Sequence, residues 1–394
     1  MKPTIFVHDH IFKYRDNHFY SGGGLPASVW ARYLSVFPKL TVVGRDGGEL
    51  EENEHGFTLS STRDIEFRLQ PSISNLKSML LGNAKAERAC RTLVAESDGV
   101  IARLPSRLGD LFVKEAIRQG KPYAVEVVGC SWDALWNHGS IKGKLFAPYE
   151  LLSTRNRVRN APFALYVTQY FLQGRYPCKK GITTFCSNVE IQPVPDEILD
   201  RRLGKIRLRN GKVKIGLIGN YSSRYKGIDV AIRALAQSDH ALEDWEFQIL
   251  GSGDKNYYAE LARSLGVGDK VKFIGSRPSG QAVYDWLDEI DLYLQPSFQE
   301  GLPRALVEAM SRGCPALATS IAGIPELLPA SEMVAPGAHD ALSTKITSLL
   351  HDRKQMESLA KRNFTTSKAY YKTILDSRRS AFWSLFRERI ESGT

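Results

Sequence analysis

Short apolar runs rich in β-branched residues alternate along the first half of the chain with longer segments in which apolar positions recur every three or four residues. The first kind reads as buried strand and the second as amphipathic helix, so the alternation predicts parallel strands joined by crossover helices. Strands are expected at TIFVH, KLTVVG, GVIARL, YAVEVVG and ALYVT, with helices at PASVWARYLSVF, NAKAERACRTLVAES and LGDLFVKEAIRQG. The second half restarts the pattern at VKIGLIG and carries it through EFQILG, KVKFIG, DLYLQPS and CPALAT. Beyond Pro336 the chain reads as helices ending in SRRSAFWSLFRERI. Between the two series, NVEIQPVPDEILDRRLGKIRLRNG is rich in Pro and charge and reads as a linker with an edge element.

Two series imply two cores. The chain has 394 residues, and single cores stop growing at about 250 to 300. The fold class is α/β: two open domains, residues 1–195 and 196–375, with parallel sheets facing a central ligand cleft, and a closing helix over 376–394 expected to pack back on the first domain. A composition of 43% hydrophobic and 24% charged residues fits a globular chain. No run approaches the roughly 18 apolar residues of a membrane span, and MKPTIFVHDH lacks the apolar stretch and cleavage site of a secretory signal. The cysteines, Cys90, Cys130, Cys178, Cys186 and Cys314, are odd in number, scattered and never in a CxxC pair. That spacing indicates neither a disulfide framework nor a zinc site, and the reducing cytosol is the expected compartment.

Charge adds a second feature. The net charge is +10, and the segment from Gly139 to Gly181 carries Lys142, Lys144, Arg155, Arg157, Arg159, Arg175, Lys179 and Lys180 against the single acid Glu150. Such a block suits an anionic lipid surface or an acidic acceptor, or is a solvated face. Nucleic acid is not an expected partner, because no helix-turn-helix, zinc-finger or RNP-type signature accompanies the charge.

The candidate chemistry is concentrated in SFQEGLPRALVEAM, Ser297 to Met310. Gly301, Leu302 and Pro303 break the chain and restart it as a helix, whose first amides and partial positive charge suit an anion. Two glutamates, Glu300 and Glu308, frame that place. A nucleotide diphosphate-sugar has anionic oxygens at its centre and hydroxyl-rich rings at both ends. Amides of Leu302, Arg304 and Ala305 fit the diphosphate, while each carboxylate can accept from adjacent hydroxyls, Glu300 from the sugar and Glu308 from the ribose. Read separately, the two are a favourable charge at a helix start and an exposed helical residue.

Two loops support the same ligand. In IGLIGNYSSRYKGIDVAIRAL a strand ends at Gly219 and a helix begins near Gly227, which puts Arg224 and Lys226 on the turn where a diphosphate would approach. The plain alternative is a solvated basic turn. In FYSGGGLPASVW, Gly22, Gly23 and Gly24 let backbone pass close to a ligand. Neither P-loop nor GxGxxG spacing is present there.

The run EGLPRALVE, followed by AMSRGCPALATSIAGIPELL, resembles the Glu-x7-Glu signature of retaining glycosyltransferases of family 4, which have the GT-B fold of two Rossmann-like domains. Similarity extends from Val213 to about Leu328, and in the first half to the order of elements and the glycine loop. The resemblance implies that Lys226 and a nearby arginine neutralise the leaving diphosphate, Glu300 contacts the donor sugar, Glu308 holds the ribose, and Gly23 and Gly24 approach the reaction centre. Two departures stand out. The family places Gly-Arg directly after that strand, where this chain has Gly219 and Asn220, leaving Arg224 to substitute. Many members carry a histidine near the end of YAVEVVGCSWD, where this chain has none; His138 comes later, and Asp133, Trp132, Glu126 or, from another strand end, Arg103 are the candidates to meet the sugar or the acceptor.

No Asp-x-Asp motif is present, so no divalent metal or other cofactor is expected, and fixed positive charge with helix-end amides must stabilise the leaving group. The resemblance implies retention, which we read as front-face attack with the leaving phosphate oxygen taking the acceptor proton. The expected activity is transfer of a hexose or related sugar from a nucleotide diphosphate-sugar, UDP first and GDP next, to a hydroxyl of a glycan or lipid-diphosphate-linked acceptor in cell-surface polysaccharide synthesis. Its expected place is the cytoplasm, with peripheral attachment to the inner face of the cytoplasmic membrane. The rival readings are a non-catalytic nucleotide-sugar-binding subunit of a polysaccharide assembly complex and a nucleotide-sugar epimerase of the same fold.

Overall fold

The computed structural model describes residues 2–52, 54, 56–72, 83–137 and 141–393. They form two compact units. One comprises Met1–Leu135, Ile141–Cys186 and Asp376–Thr394; the other is Ser187–Leu375 with the short piece Trp136–Ser140.

The first unit is built on a nine-stranded sheet, counted among the described residues. Its strands are β1 Thr4–Arg15, β2 His18–Ser21, β3 Leu40–Glu49, β4 Thr58–Leu59, β5 Ile65–Phe67, β6 Gly99–Leu104, β7 Tyr123–Val127, β8 Phe163–Tyr166 and β9 Ile182–Phe185. The parallel core runs β5-β3-β1-β6-β7-β8-β9, so strand order reverses direction between β1 and β6. Both faces are covered, and the core strands are therefore apolar on both sides. Ile5, Val7, Val100, Ala102, Val125 and Val127 pack with Leu108 and Phe112 of the helix Arg107–Arg118. On the opposite face Phe6 meets Trp30 and Tyr33 of the helix Ala27–Leu34, with ring centroids at 5.2 and 5.1 Å. Trp383 and Phe386 of the last helix pack on Tyr33, Phe37 and Phe163 of the same unit.

One expectation is corrected here. The first strand continues past TIFVH to Arg15, and a hairpin carries the chain into β2 before the glycine loop. Asp16 and Asn17 take φ of 48° and 59° at the turn, the two positive values that a two-residue hairpin with the natural strand twist requires. The glycine loop follows β2.

The second unit has a six-stranded, all-parallel sheet among the described residues: β10 Val213–Ile218, β11 Trp245–Leu250, β12 Val271–Phe273, β13 Leu292–Gln295, β14 Ala316–Thr319 and β15 Met333–Val334. Its order is β12-β11-β10-β13-β14-β15. Numbered within the unit this is 3-2-1-4-5-6, the doubly wound Rossmann order, with its switch point between β10 and β13. The expected linker is also corrected. Glu197–Leu208 is a helix that buries Ile198, Leu203 and Ile206, apolar positions at helical spacing that charged neighbours obscured. Buried Arg202 fixes it by donating to the carbonyls of Arg312 at 3.1 Å and Leu287 at 2.8 Å, and to that of Ile290.

Candidate active site

Strands β10 and β13 pair in parallel, so the loops that follow them open side by side at the carboxyl edge of the second sheet. Open α/β sheets bind ligands at this place. The two loops are held together by backbone. Phe298 N–H donates to the Tyr225 carbonyl at 2.7 Å, and Gly227 has φ 67° with its Cα so close to Pro296 that a Cβ would lie 2.0 Å from the Pro296 oxygen. Only glycine meets both conditions. Gly219 serves a similar purpose, because the stem of Lys226 lies against it; a Cβ there would be 3.1 Å from Lys226 Cβ and Cγ.

This scaffold brings Lys226 to Glu300. Lys226 Nζ is 2.8 Å from Glu300 Oε1, and the side chains are 18% and 9% exposed, which removes much of the screening that weakens surface pairs. Gln295 Nε2 at 2.9 Å and Ser297 Oγ at 2.8 Å donate to the same Oε1. Gln295 is in turn oriented by donation from Tyr293 hydroxyl at 3.0 Å. None of the three contacts to Glu300 uses Oε2. Reading the sequence did not single out Tyr293, Gln295 or Ser297; the signal was a polar Gln and Ser closing the otherwise apolar strand DLYLQPS.

Beyond Glu300 the chain turns through Gly301 and Leu302 to Pro303, and the helix Arg304–Ser311 starts with no side-chain cap. Its first amides, those of Arg304 and Ala305, are left for another acceptor. Glu308 is half-buried in this helix with no side-chain hydrogen bond among the described residues. Burial raises its pKa above the usual carboxylate range, and Arg304 partly offsets the rise. A carboxylate carried at that cost without a donor is suited to ligand hydroxyls.

Arg224 is exposed and does not join the Lys226–Glu300 pair; its guanidinium stacks on the Tyr257 ring at 4.4 Å. Asn220 folds its own loop, Oδ1 accepting from Ser222 N–H at 2.8 Å. Beside it lies an open cavity of about 500 Å³ whose lining includes Tyr221, Gly251, Gly253, Phe273 and Ser276. Gly251 must be glycine there, since a Cβ would sit 1.9 Å from the Gly219 oxygen.

The remaining candidates lie in the first unit. Gly23 takes φ 89°, and Gly24 passes over His10, whose ring a Cβ would approach to 3.0 Å. Arg103 Nε is 3.9 Å from the buried carboxylate of Glu126, which accepts from Tyr33 hydroxyl at 2.5 Å. Asp133 is 3.4 Å from Arg175. His138 lies outside the described residues. His8 and His10, just past the last residue of β1 that pairs with β6, were not singled out; an H-D-H run after the apolar TIFV was the signal available.

The basic block is partly internal. Arg157 donates to Asp110, and Arg175 faces Asp133, because both must satisfy buried or half-buried carboxylates of the same unit. Arg155 and Arg159 are exposed on the helix Ile141–Arg159. On that helix Leu145, Tyr149 and Leu152 are 74%, 54% and 63% exposed. Among the described residues no helix is long and apolar enough to cross a membrane, and no three His, Cys, Asp or Glu side chains cluster as metal ligands.

Comparison with known proteins gives the class to which this chain belongs. The description of glycosyl transferases group 1 matches residues 201–365. Protein CapJ of Staphylococcus aureus is 35% identical over 325 residues, which span 81% of this chain and 79% of CapJ. The chain belongs to the group 1 glycosyltransferases. AmsK, the amylovoran biosynthesis glycosyltransferase of Erwinia amylovora, is 37% identical over 112 residues, 26% of this chain and 27% of its own. The fold is GT-B: HepE of Anabaena, solved in complex with UDP-glucose, aligns over 100% of both chains with a TM-score of 0.64 at 16% identity.

Proposed function

We propose that this chain is a retaining, family 4 hexosyltransferase that moves sugar from a UDP-sugar to a hydroxyl of a glycan or lipid-linked acceptor in polysaccharide synthesis. The observation that carries the reading is the Lys226–Glu300 pair at the switch point, flanked by uncapped helix amides and by Glu308, which has no side-chain hydrogen bond among the described residues. AmsK supports the polysaccharide context and the HepE complex supports the choice of UDP over GDP.

The pair suggests how donor binding is organised. A diphosphate attracts Lys226 Nζ, and the amides of Leu302, Arg304 and Ala305 serve its remaining oxygens. Glu300, relieved of Lys226 but still held by Gln295 and Ser297, then accepts from sugar hydroxyls, while Glu308 accepts from the ribose. The exchange gives Lys226 a new ionic partner, while the Glu300 carboxylate keeps neutral donors in Gln295, Ser297 and the sugar hydroxyls. In the transfer step the C1–O bond to phosphate breaks, the acceptor oxygen bonds C1 on the same face, and the leaving phosphate oxygen takes the acceptor proton. Lys226 and the amides carry the developing negative charge, with no divalent cation in the step. The cavity beside Asn220 and Tyr221 takes the base.

Attachment to an anionic membrane surface through the helix Ile141–Arg159 completes the proposal. Leu145, Tyr149 and Leu152 recur at helical spacing and are exposed together, with Arg155 and Arg159 exposed on the turns that follow.

Thermal stabilisation by a panel of UDP-, GDP- and ADP-sugars, followed by turnover of the radiolabelled donor that stabilises most, tests the assignment. Stabilisation by a UDP-sugar with release of UDP and labelled product is expected. Binding with no transfer to any glycan or lipid fraction would favour the non-catalytic subunit, and no stabilisation by any nucleotide-sugar would overturn the reading.

A further inference from the structure

The switch point of the first sheet holds side chains that the donor reading does not use. Val7 pairs with Ala102 in parallel register, so His8 and Arg103 stand side by side at the carboxyl edge, and Arg103 is in register with Glu126. His8 Nδ1 lies 3.1 Å from the Arg103 carbonyl oxygen, which can only accept. The ring proton therefore sits on Nδ1, and the Nε2 lone pair has no partner among the described residues.

His10 Nε2 is held 2.7 Å from Ser21 Oγ, which also accepts from Leu25 N–H at 2.9 Å. Arg45 donates through Nε to the Asp9 carbonyl at 2.7 Å, which leaves its terminal nitrogens unpartnered among the described residues. Among the described residues Arg103 Nε is buried without a hydrogen bond, and its one ion-pair contact, Glu126 at 3.9 Å, is shared with Tyr33. The Asp9 carboxylate is occupied by the amides of Arg107 and Leu108.

Burial, then the charge of Arg103, lowers the pKa of His8 to about 3 and that of His10 to about 4, with Arg45 acting in the same direction on both. Both rings are neutral at pH 7, first because they are buried and then because Arg103 and Arg45 add positive charge beside them. A sugar hydroxyl placed here would satisfy hydrogen bonds but leave that positive potential uncompensated. A phosphate oxygen group matches the forked donors of arginine, and its negative charge favours protonation of the rings, which turns both into donors.

We propose that His8, His10, Arg45 and Arg103, gathered at the carboxyl edge of the first sheet beside Gly24, bind a phosphate group of the acceptor, carried on a phosphosugar or a diphosphate-linked lipid. The word acceptor rests on the glycosyltransferase reading; the anion site itself does not. Binding here takes up protons near neutral pH, since ring pKa values rise when the phosphate arrives.

Long-range ¹H–¹⁵N spectra of the full chain labelled in histidine test this directly, with His8→Gln and His10→Gln assigning the two rings. Inorganic phosphate and pyrophosphate are titrated at pH 7 and constant ionic strength, first alone and then with saturating UDP. Both rings are expected to move toward the imidazolium pattern along one saturating curve, with or without UDP. Arg103→Gln should weaken that curve at least about tenfold, or about 1.4 kcal/mol, and Glu300→Gln should leave it unchanged. Titration with a soluble sugar phosphate and with a detergent-dispersed polyprenyl diphosphate then separates the two sources. Rings unmoved by any phosphate, or moved equally by UDP alone, would overturn the proposal, the second result giving the site to the donor. Because no arm uses turnover, responsive rings in an inactive chain would overturn only the enzymatic reading.

Discussion

Lys226 and Glu300, 74 residues apart in the chain, meet at 2.8 Å across the switch point of the second sheet, and the carboxylate oxygen they share also accepts from Gln295 and Ser297. Among the described residues the lysine has one hydrogen-bond partner, with the Tyr225 ring 5.1 Å from its Nζ, and the glutamate has three. Glu300 is therefore positioned independently of Lys226, whereas Lys226 depends on Glu300 for its charge balance. This asymmetry makes the two substitutions distinguishable.

Lys226→Ala and Glu300→Ala should each cut turnover at least about a hundredfold, about 2.7 kcal/mol of transition-state stabilisation. Lys226→Ala should weaken UDP and UDP-sugar alike, while Glu300→Gln should weaken the UDP-sugar and spare UDP. Steady-state rates with calorimetric affinities for both ligands separate the cases. Wild-type rates in folded variants would remove the pair from the site.

Glu308 links binding to stability. Its folded pKa is raised, so the native state holds that proton more tightly than the unfolded chain does. The burden is absent below the unfolded value and grows as pH rises through the folded one. Glu308→Gln should therefore raise the melting temperature at pH 7 but not at pH 4, while weakening nucleotide affinity at least about tenfold, about 1.4 kcal/mol. Unchanged affinity would show that Glu308 does not meet the ribose.

Gly227→Ala tests the backbone that joins the two loops. A methyl group 2.0 Å from the Pro296 oxygen, at φ 67°, forces the turn to move. Destabilisation beyond about 1 kcal/mol by denaturant melting is expected, together with loss of donor binding. A fully stable, active variant would mean that the turn relaxes without displacing Lys226.

Chelation should leave transfer intact, because Lys226 and the helix amides carry the leaving-group charge in this account. Rates before and after EDTA, with and without added Mn²⁺, decide it. Loss on chelation with full rescue by the metal would contradict the metal-independent step.

Membrane attachment should follow the exposed helix face. Sedimentation with anionic but not neutral liposomes is expected, lost at high salt, since each basic residue near the surface contributes about 1 kcal/mol over a Debye length of about 8 Å. Arg155→Glu with Arg159→Glu, and Leu145→Asp with Leu152→Asp, should each weaken it. Equal sedimentation with both liposomes, or none with either, would leave the face solvated.

The fold was legible where burial makes strands apolar throughout, as at VKIGLIG and GVIARL, and where glycine and proline punctuate, as at Gly301 to Pro303. The hairpin at Asp16 and Asn17 was missed because β1 continues through polar residues beyond the core, where apolar pattern stops being informative. The helix Glu197–Leu208 was hidden by arginines, one of which, Arg202, is itself buried on carbonyls contributed by residues more than 80 positions away. The same limit explains the site. Glu300, Glu308 and Lys226 stand out as charges beside chain breaks, but the hold of Gln295 and Ser297 on Glu300, the stacking of Arg224 on Tyr257 and the neutral state of His8 and His10 depend on contacts that no local pattern encodes.

In the proposed reaction the Lys226–Glu300 pair receives a nucleotide-sugar, and its sugar is then transferred. The most direct measurement is single-turnover transfer from a radiolabelled UDP-hexose, in a membrane and glycan extract, by wild type and by Lys226→Ala and Glu300→Gln. The account predicts label in the glycan or lipid fraction with wild type and at least about a hundredfold less with either variant at saturating donor. Equal labelling by all three, or labelled sugar that stays on the nucleotide even with wild type, would contradict it.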